Sequence, residues 1–572
     1  MKINGWLTGC CVLCFAAISS HVQAQSDYRF GGLALNRDLM MAWDFSSLSR
    51  PQTFGSARSM GMGGAFVSLG ADLASMSLNP AGLGMYRHNE FSITPLVSLA
   101  RASSSSAAGA QSWAGNSKNR FALADVGLAF NLFERANGAL TSMTLGFGLN
   151  RVADFNTRYS FASDVRYDGA MVPSIADVFA QQLNQGGVFP DMNSDGGLNG
   201  RLDYRNPYFW PAVLAYKSAM THVVPVGAGD MSEWEADAIG PRASILRSVD
   251  AVETGSINEF DLSLGANLNN VVYIGASLGI QTVRKTSTLV YGEDYGYFAD
   301  GDDGYAYGPG GVLPAQLEYA DLWQRTILDG AGVNFKLGVI VRPVGGLRLG
   351  VAVHTPTFYS LDRSYRAGMD YRLLSNIEGV SGAEERLESP VQYDEGTDCW
   401  DFVSPTRLMF GASYAFGKFA IVSVDYERDW YNGIRVKNVP TGSDFGPTSY
   451  KTDFQLNFCA TNNLRAGVEL RPSPRFALRA GYGYSSSMLK DESLAYEVPQ
   501  LTDSHYFTLG AGVNLSRTVS LDVAYQCLVD HQSEYRLFYS YDQTAEAFSY
   551  ASDLYRTSFT RHFIALTLGV HF

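Results

Sequence analysis

The last ten residues, "FIALTLGVHF", alternate without interruption. Ile564, Leu566, Leu568, Val570 and Phe572 are apolar, and Ala565, Thr567, Gly569 and His571 between them are small or polar. A period of two sends successive side chains to opposite faces, so the segment is a strand with two different surroundings. The pattern recurs upstream. Val519, Leu521, Val523, Tyr525 and Cys527 oppose Ser520, Asp522, Ala524 and Gln526. In "FALRAGYGY", Phe476, Leu478, Ala480, Tyr482 and Tyr484 oppose Ala477, Arg479, Gly481 and Gly483. In "IVSVDYERDW", Val422, Val424, Tyr426 and Trp430 oppose Ser423, Asp425, Glu427 and Asp429. The second face carries charges and glycines, which suits a wet lumen better than the dry core of a sandwich.

Read this way, the chain holds fourteen strands, near 90–102, 119–132, 142–163, 259–268, 271–291, 328–342, 346–359, 404–416, 418–430, 453–470, 475–487, 504–515, 518–531 and 561–572. Their connections alternate in length. "NLNN", "PVGG", "FGK" and "RPSPR" are short, whereas 103–117, 164–258, 292–327, 360–403, 431–452, 488–503 and 532–560 are long. A soluble β-sandwich has no reason to alternate its loops. A transmembrane antiparallel β-barrel does, with short turns on the periplasmic side, an even strand number and an aromatic last residue such as Phe572. The longest loop, 164–258, includes a predicted helix at Pro173 to Gln185.

Composition agrees with this class. No run of 18 apolar residues follows the N-terminus, so a spanning helix is excluded, and a closed barrel is the remaining way across a bilayer. The chain is 13% aromatic and carries 58 glycines. Residues 1–24 read as a secretory signal: Lys2, an apolar stretch from Trp6 to Ala17, and cleavage after Ala24. A lipobox at Leu7 to Cys10 would leave almost no apolar core ahead of the cut. Cys10, Cys11 and Cys14 leave with the signal. The remaining Cys399, Cys459 and Cys527 form neither a disulfide framework nor a metal-ligand spacing. The net charge is −13, with no basic patch, which argues against nucleic acid as a partner.

Residues 25–89 precede the first strand, are rich in small residues and show no strand alternation. A barrel of this size has a lumen too wide for its own side chains, so this segment is expected to fold into it as a plug. Within it, "SLNPAGLG" (Ser77 to Gly84) is a deliberate bend, because Pro80 fixes its φ and Asn79 favours a turn closed by its side chain. The bend is expected to lie inside the barrel, where close backbone packing calls for Gly82 and Gly84. Met60, Met62, Met76 and Met85 are read as plug packing.

"SARSMGMGGAFVSLGADLASMSLNPAGLG", Ser56 to Gly84, resembles the N-terminal signature of the FadL-type outer-membrane transport proteins, including the motif at Asn79, Pro80, Ala81 and Gly82. Gly330 to Thr357 resembles that family's paired mid-barrel strands, and Val424 to Tyr431 its Asp-Tyr…Trp strand. The resemblance implies a fourteen-stranded barrel with an N-terminal hatch. It implies passive carriage of hydrophobic compounds, long-chain fatty acids or aromatic hydrocarbons, into a pocket above the hatch. It also implies a lateral exit at a kinked third strand. A straight third strand with Leu145, Phe147 and Leu149 outward would put Arg151 into lipid, so either a kink over Asn150, Arg151 and Asp154 redirects it or Arg151 already lies at the headgroup level.

Other candidates are weaker. Arg348, His354 and Arg479 fall on the lumen face by parity and are candidate contacts for a cargo carboxylate, although Asp425, Glu427 and Asp429 make part of that face acidic. Asp191, Asn193 and Asp195 begin like a calcium loop, but the twelfth position is Leu202, with Asp203 one place late, so the reading is a polar surface loop and no metal is assigned. "DGDDG" (Asp300 to Gly304) is weaker still. No G-x-S-x-G, H-E-x-x-H or P-loop occurs, and His354, His505, His531, His562 and His571 are scattered, so no enzyme and no cofactor are expected.

The expected protein is a passive, hatch-gated transporter of hydrophobic small molecules in the outer membrane of a Gram-negative bacterium. Its partners would be its cargo, outer-membrane lipid and lipopolysaccharide, and the barrel-assembly machinery through Phe572; it is expected to be monomeric. A surface adhesin or receptor, or an open diffusion porin, on the same barrel remains open.

Overall fold

The alternating segments close into an antiparallel barrel of fourteen strands in the computed structural model. The structure describes residues 28–35, 37–38, 40–106, 109, 111–112, 117–135, 138–189, 202, 204, 206–225, 231–236, 242–297, 317–373, 384–390, 399–440, 446–490, 500–530 and 532–572. The signal at 1–24, the calcium-like Asp191, Asn193 and Asp195, and Asp300 to Gly304 lie outside the described residues. The strands are β1 Glu90–Ser106, β2 Ser117–Glu134, β3 Leu140–Asp154 resuming as Thr157–Arg166, β4 Arg242–Leu268, β5 Val272–Tyr297, β6 Leu317–Val344 and β7 Leu347–His354 resuming as Phe358–Leu373. The circuit continues through β8 Cys399–Val403 resuming as Arg407–Phe416, β9 Ala420–Trp430, β10 Ala460–Ser473, β11 Phe476–Ser485, β12 Ser504–Asn514, β13 Val519–Val529 and β14 Leu554–His571. β14 pairs with β1 and closes the wall.

The barrel is apolar outside and polar inside. On β6, Val333, Phe335, Leu337 and Val339 are exposed, while Asn334 and Lys336 between them are buried. On β9, Val422 and Val424 are exposed and Ser423, Asp425, Glu427 and Asp429 are buried. An outward apolar band is favourable only against lipid, and closing the sheet leaves no unpaired edge in it.

Several strands run further than their alternation suggests. β4 starts at Arg242 rather than 259, and β6 at Leu317 rather than 328. These extensions stand beyond the apolar band. There the outer face meets water and the inner face meets packed loops, so the lipid-driven pattern stops while the ladder continues. One expectation is corrected: residues 453–459 are not strand, because helix Pro447–Asn457 occupies that stretch and β10 begins at Ala460. Pro447 at its first turn starts that helix, since its missing N–H costs nothing there.

Two further helices roof the long-loop end. Helix Ile175–Gly186, predicted at Pro173 to Gln185, is capped by Ser174, whose side chain accepts from Ala176 N, and ends at Gly187 in the left-handed region, φ +60. With helix Trp210–Lys217 it buries Val178, Phe179, Leu183, Trp210 and Leu214 against Tyr291, Tyr365 and Tyr555 of the extended strands. Burial pushes the Asp177 carboxyl up, against the pull of Arg242 at 3.2 Å. Glu293 on β5 anchors the roof: it accepts from Ser174 Oγ, Ile175 N at 3.0 Å, Tyr291 OH at 2.6 Å and Tyr295 OH at 2.9 Å. Each donor left buried without its acceptor costs about 1–3 kcal/mol. Glu293→Ala is therefore expected to leave the barrel folded but to make the 164–236 region readily cut in limited proteolysis of the purified protein.

The N-terminal segment runs the length of the barrel. Tyr28–Gly31 pairs antiparallel with Tyr539–Asp542 of the last long loop, a strand the sequence pattern does not announce. Helix Ala42–Leu48 follows, then Ala57–Gly61, Ser75–Leu78 and the 3-10 turn Pro80–Met85, and at the short-turn end Asn89 N donates to Phe572 O at 3.2 Å.

Candidate functional site

The Ser77-to-Gly84 bend owes its seat to missing side chains on the wall. Asn79 Nδ2 donates to Val67 O at 2.6 Å, and its Oδ1 accepts from Ala81 N at 3.1 Å, which closes the turn that Pro80 begins. The wall beside it carries glycines. A Cβ on Gly275 of β5 would lie 2.2 Å from Pro80 C, on Gly338 of β6 1.8 Å from Asn79 Oδ1, and on Gly265 of β4 2.5 Å from Gly84 N. The same holds round the circuit: a Cβ would come within 2.3 Å of Val67 O at Gly350, of Met62 O at Gly467 and of Gly63 N at Gly481. The segment's backbone thus lies directly on the wall's backbone. Pro80, Ala81 and Gly82 are buried. Polar ties complete the seat: Val67 N donates to Asp425 at 2.8 Å, Ala57 N to Thr567 Oγ1 at 2.7 Å, and Arg58 pairs with Glu469 at 3.1 Å.

Above this seat lies a cavity of about 1450 Å³. The N-terminal segment forms one side with Tyr28, Phe30, Leu35, Met41 and Trp43; Phe155, Tyr159 and Phe559 come from the wall, Tyr535 from the last long loop, and helix Pro447–Asn457 borders the outer part with Tyr450 and Leu456. Phe45 holds the short N-terminal helix in place among Trp400, Phe402 and Tyr450, at ring distances of 5.8, 5.0 and 5.5 Å. The charges at the cavity's edge are mostly compensated. Arg50 pairs with Asp530 at 2.7 Å, Arg561 with Asp530 at 3.5 Å, and Lys285 with Glu253 at 3.1 Å. Arg37 differs: its Nε donates to Leu33 O at 2.9 Å, and among the described residues no carboxylate pairs with it. Burial pushes the Asp453 carboxyl at the rim up, against the Asn457 amide that donates to it.

The cavity meets the wall where β3 is interrupted. The β3–β4 register shifts between Arg151 and Ala153, and Phe155 and Asn156 leave the strand. Asp154 Oδ1 takes up the loosened backbone, accepting from Asn156 N at 2.9 Å and Asn156 Nδ2 at 2.6 Å. The register shift and the break in β3 lie beside Arg151 and Asp154. Arg151 is buried, with Nε donating to Leu123 O at 3.1 Å and Nη1 3.4 Å from Asp154. Asn150 points inward and donates to Asp261 at 2.8 Å.

The interruption is sealed from inside by Gln52. Its backbone N donates to Val152 O at 2.8 Å, its Nε2 to Asp154 O at 3.2 Å, and its Oε1 accepts from Asp154 N at 3.2 Å. One residue of the N-terminal segment supplies the hydrogen bonds that a neighbouring strand would otherwise give. The sequence carries no signal for Gln52 or Arg37, because each acts through long-range placement. The aromatic spacing of Tyr28 and Phe30 is the only local trace of a cavity wall there.

The three lumen-face candidates do point inward, but toward the N-terminal segment and neighbouring strands instead of the cavity. Arg348 Nη1 donates to Leu69 O at 2.6 Å, His354 Nε2 lies 2.9 Å from Leu78 O, and Arg479 pairs with Glu469 and Asp522 at 2.7 and 2.6 Å. They hold the segment or its seat. Their partners were invisible in the sequence because parity gives a face and not a neighbour.

Comparison with known proteins gives one family match: the model of the outer membrane protein transport protein family (OMPP1/FadL/TodX) matches residues 247–549, more than half of the chain. Among solved structures, the chain is similar to a Pseudomonas aeruginosa FadL homologue, with 11% identity, 91% of this chain and 99% of that one covered, and a TM-score of 0.49. It is also similar to the Pseudomonas putida toluene transporter TodX (13% identity, 92% and 100% covered, TM-score 0.46) and the Ralstonia pickettii toluene transporter TbuX (14%, 92% and 99%, 0.45). No curated protein matches it.

Proposed function

The chain belongs to the outer membrane protein transport protein family (OMPP1/FadL/TodX), and from that premise we propose that it carries hydrophobic small molecules passively across the outer membrane, with its N-terminal segment as the hatch. The observation that supports this reading is the double position of residues 28–52. They form one side of the aromatic cavity, and through Gln52 they close the interruption in β3. Cargo that fills the cavity presses on the same segment that seals the wall. Displacing Gln52 then joins the cavity to the lipid beside β3, and an apolar molecule can leave sideways without crossing water. Nothing in this route calls for an energy source beyond the concentration gradient, since binding at each stage suffices. No catalytic step enters it.

Long-chain fatty acids are the cargo that best uses what the cavity offers: aromatic walls for the chain and, for a carboxylate, Arg37, which forms no ion pair with a carboxylate among the described residues. A guanidinium–carboxylate pair in such a setting contributes about 1.5–3 kcal/mol. Arg37→Gln is therefore expected to weaken binding of a fluorescent fatty acid by on the order of tenfold or more, while leaving toluene binding unchanged. Equal loss for both ligands would show that Arg37 shapes the cavity and does not recognise a carboxylate. In proteoliposomes, the full-length protein should carry out saturable uptake of a labelled hydrophobe that an empty vesicle lacks. Absence of saturable uptake for both ligand types would remove the transporter reading in favour of an adhesin or receptor.

A further inference from the structure

Among the described residues, Asp125 is the buried carboxylate with neither oxygen hydrogen-bonded. Asp125 on β2 faces inward and is 0% exposed, and neither of its oxygens has a hydrogen-bond donor. The nearby carboxylates are engaged. Asp72 takes the Ser56 hydroxyl at 2.8 Å, Asp261 takes Lys336 Nζ at 2.7 Å, and Glu90 lies 3.6 Å from His571 Nδ1. Leaving an ion buried without a compensating group is among the most costly arrangements a fold can hold.

The rungs on either side bring no cation and no N–H to Asp125, only hydroxyls that do not reach it and an amide oxygen. Asp125 lies across from Thr94 on β1 and Asn150 on β3. Asn150 gives its Nδ2 to Asp261 at 2.8 Å, which fixes the amide and leaves Oδ1 as an acceptor, buried and also unpartnered. Ser92 Oγ, one rung toward the short-turn end, is buried without a partner too, and the Thr94 hydroxyl is tied to Thr567 at 2.8 Å. On that next rung Ser92 is followed across the sheet by Gly127 and Gly148, which contribute no side chain. Oxygen acceptors thus gather from three neighbouring strands around a site short of positive charge.

We propose that Asp125, Asn150, Ser92 and Thr94 bind a small hard cation between the N-terminal segment and strands β1–β3. The donor set is all oxygen, with a single full negative charge, which suits Na⁺ or Ca²⁺ and not a metal that prefers imidazole or thiolate. Consistently, no cluster of three His, Cys, Asp or Glu suited to a metal occurs among the described residues. Met76 and Leu73 of the N-terminal segment close the site from the lumen, reaching the space over Gly127. The bound ion would brace these three strands just below the interruption in β3. This inference stands whether or not the barrel carries hydrophobic cargo.

The test is thermal unfolding of the full-length protein in detergent, stripped with chelator, in choline chloride, sodium chloride or calcium chloride. The expected result is a rise in Tm with sodium or calcium over choline at equal ionic strength, absent in Asp125→Asn; which salt acts names the ion. Ser92→Ala, which removes one ligand and keeps the charge, should need several-fold more of that cation for the same rise, and it decides the matter if Asp125→Asn does not fold. Wild-type protein that responds to neither cation, or an Asp125→Asn variant that responds as wild type does, would overturn the site and leave Asp125 as a neutral acid or one bound to ordered water only.

Discussion

A disulfide joining Gln52→Cys to Val152→Cys, in a background with Cys399, Cys459 and Cys527 changed to Ser, is expected to abolish uptake of a hydrophobic substrate, and reduction is expected to restore it. Gln52 N donates to Val152 O at 2.8 Å, a backbone-to-backbone contact, so the two chains lie within reach of a bridge there. Transport by the proposed route requires this contact to open. A bridge worth about 3 kcal/mol would lower the open population by on the order of a hundredfold even if it acted only as a restraint. Fatty-acid binding measured on the locked protein should persist, because the cavity above Gln52 is untouched. Uptake that continues at the wild-type rate with the bridge verified by mass spectrometry would place the exit somewhere other than the interruption in β3.

The second large effect is expected from Gly275→Leu. A Cβ there would stand 2.2 Å from Pro80 C and 2.3 Å from Ala81 N, backbone atoms that cannot turn aside as a side-chain tip would. Overpacking typically costs about 1–3 kcal/mol, and here the strain falls on the bend that seats the whole segment. The relief available is for Pro80–Met85 to lift from the wall. The variant should unfold at lower temperature, admit a protease to residues 56–86, and conduct ions steadily in a planar bilayer where the wild type is quiet. Gly345→Leu is the control: it lies in the short turn between β6 and β7, and an added Cβ meets nothing within 4 Å. Equal behaviour of the two variants would mean that the glycines round the wall do not hold the segment.

The strand count and the closed barrel were legible because lipid imposes one rule on every spanning segment, and a period of two over about ten residues records it. Where lipid ends, the record ends. Arg242 to Asn258 of β4 and Leu317 to Ile327 of β6 are strand without that signature, since roof helices replace lipid and lumen as neighbours. Residues 453–457 show the opposite failure. Asp453, Gln455 and Asn457 alternate with Phe454 and Leu456 as a strand would, but Pro447 starts a helix that carries through them.

Some features near the cavity left local marks in the sequence. Arg151 was a charge in the wrong place for a straight outward strand, and it is buried beside a register shift in β3. The tight bend at Asn79 and Pro80 announced close packing, and the wall glycines provide it. Arg348, His354 and Arg479 illustrate the limit: alternation put them on the correct face, yet their partners are backbone carbonyls and carboxylates brought in from far along the chain. Gln52 and Arg37, on which the proposed route and cargo rest, stand in a stretch with no periodicity at all.

The central claim is that the cavity over the N-terminal segment holds hydrophobic cargo. Mass spectrometry of organic extracts from the purified, detergent-washed full-length protein tests it most directly, beside a variant with Phe155→Arg and Tyr535→Arg that makes the cavity polar. A hydrophobic compound retained by the wild type and lost from the variant is the predicted result, and it would name the cargo class. Extracts empty in both, from a wild-type barrel that conducts ions steadily, would contradict the account and make the protein a diffusion porin.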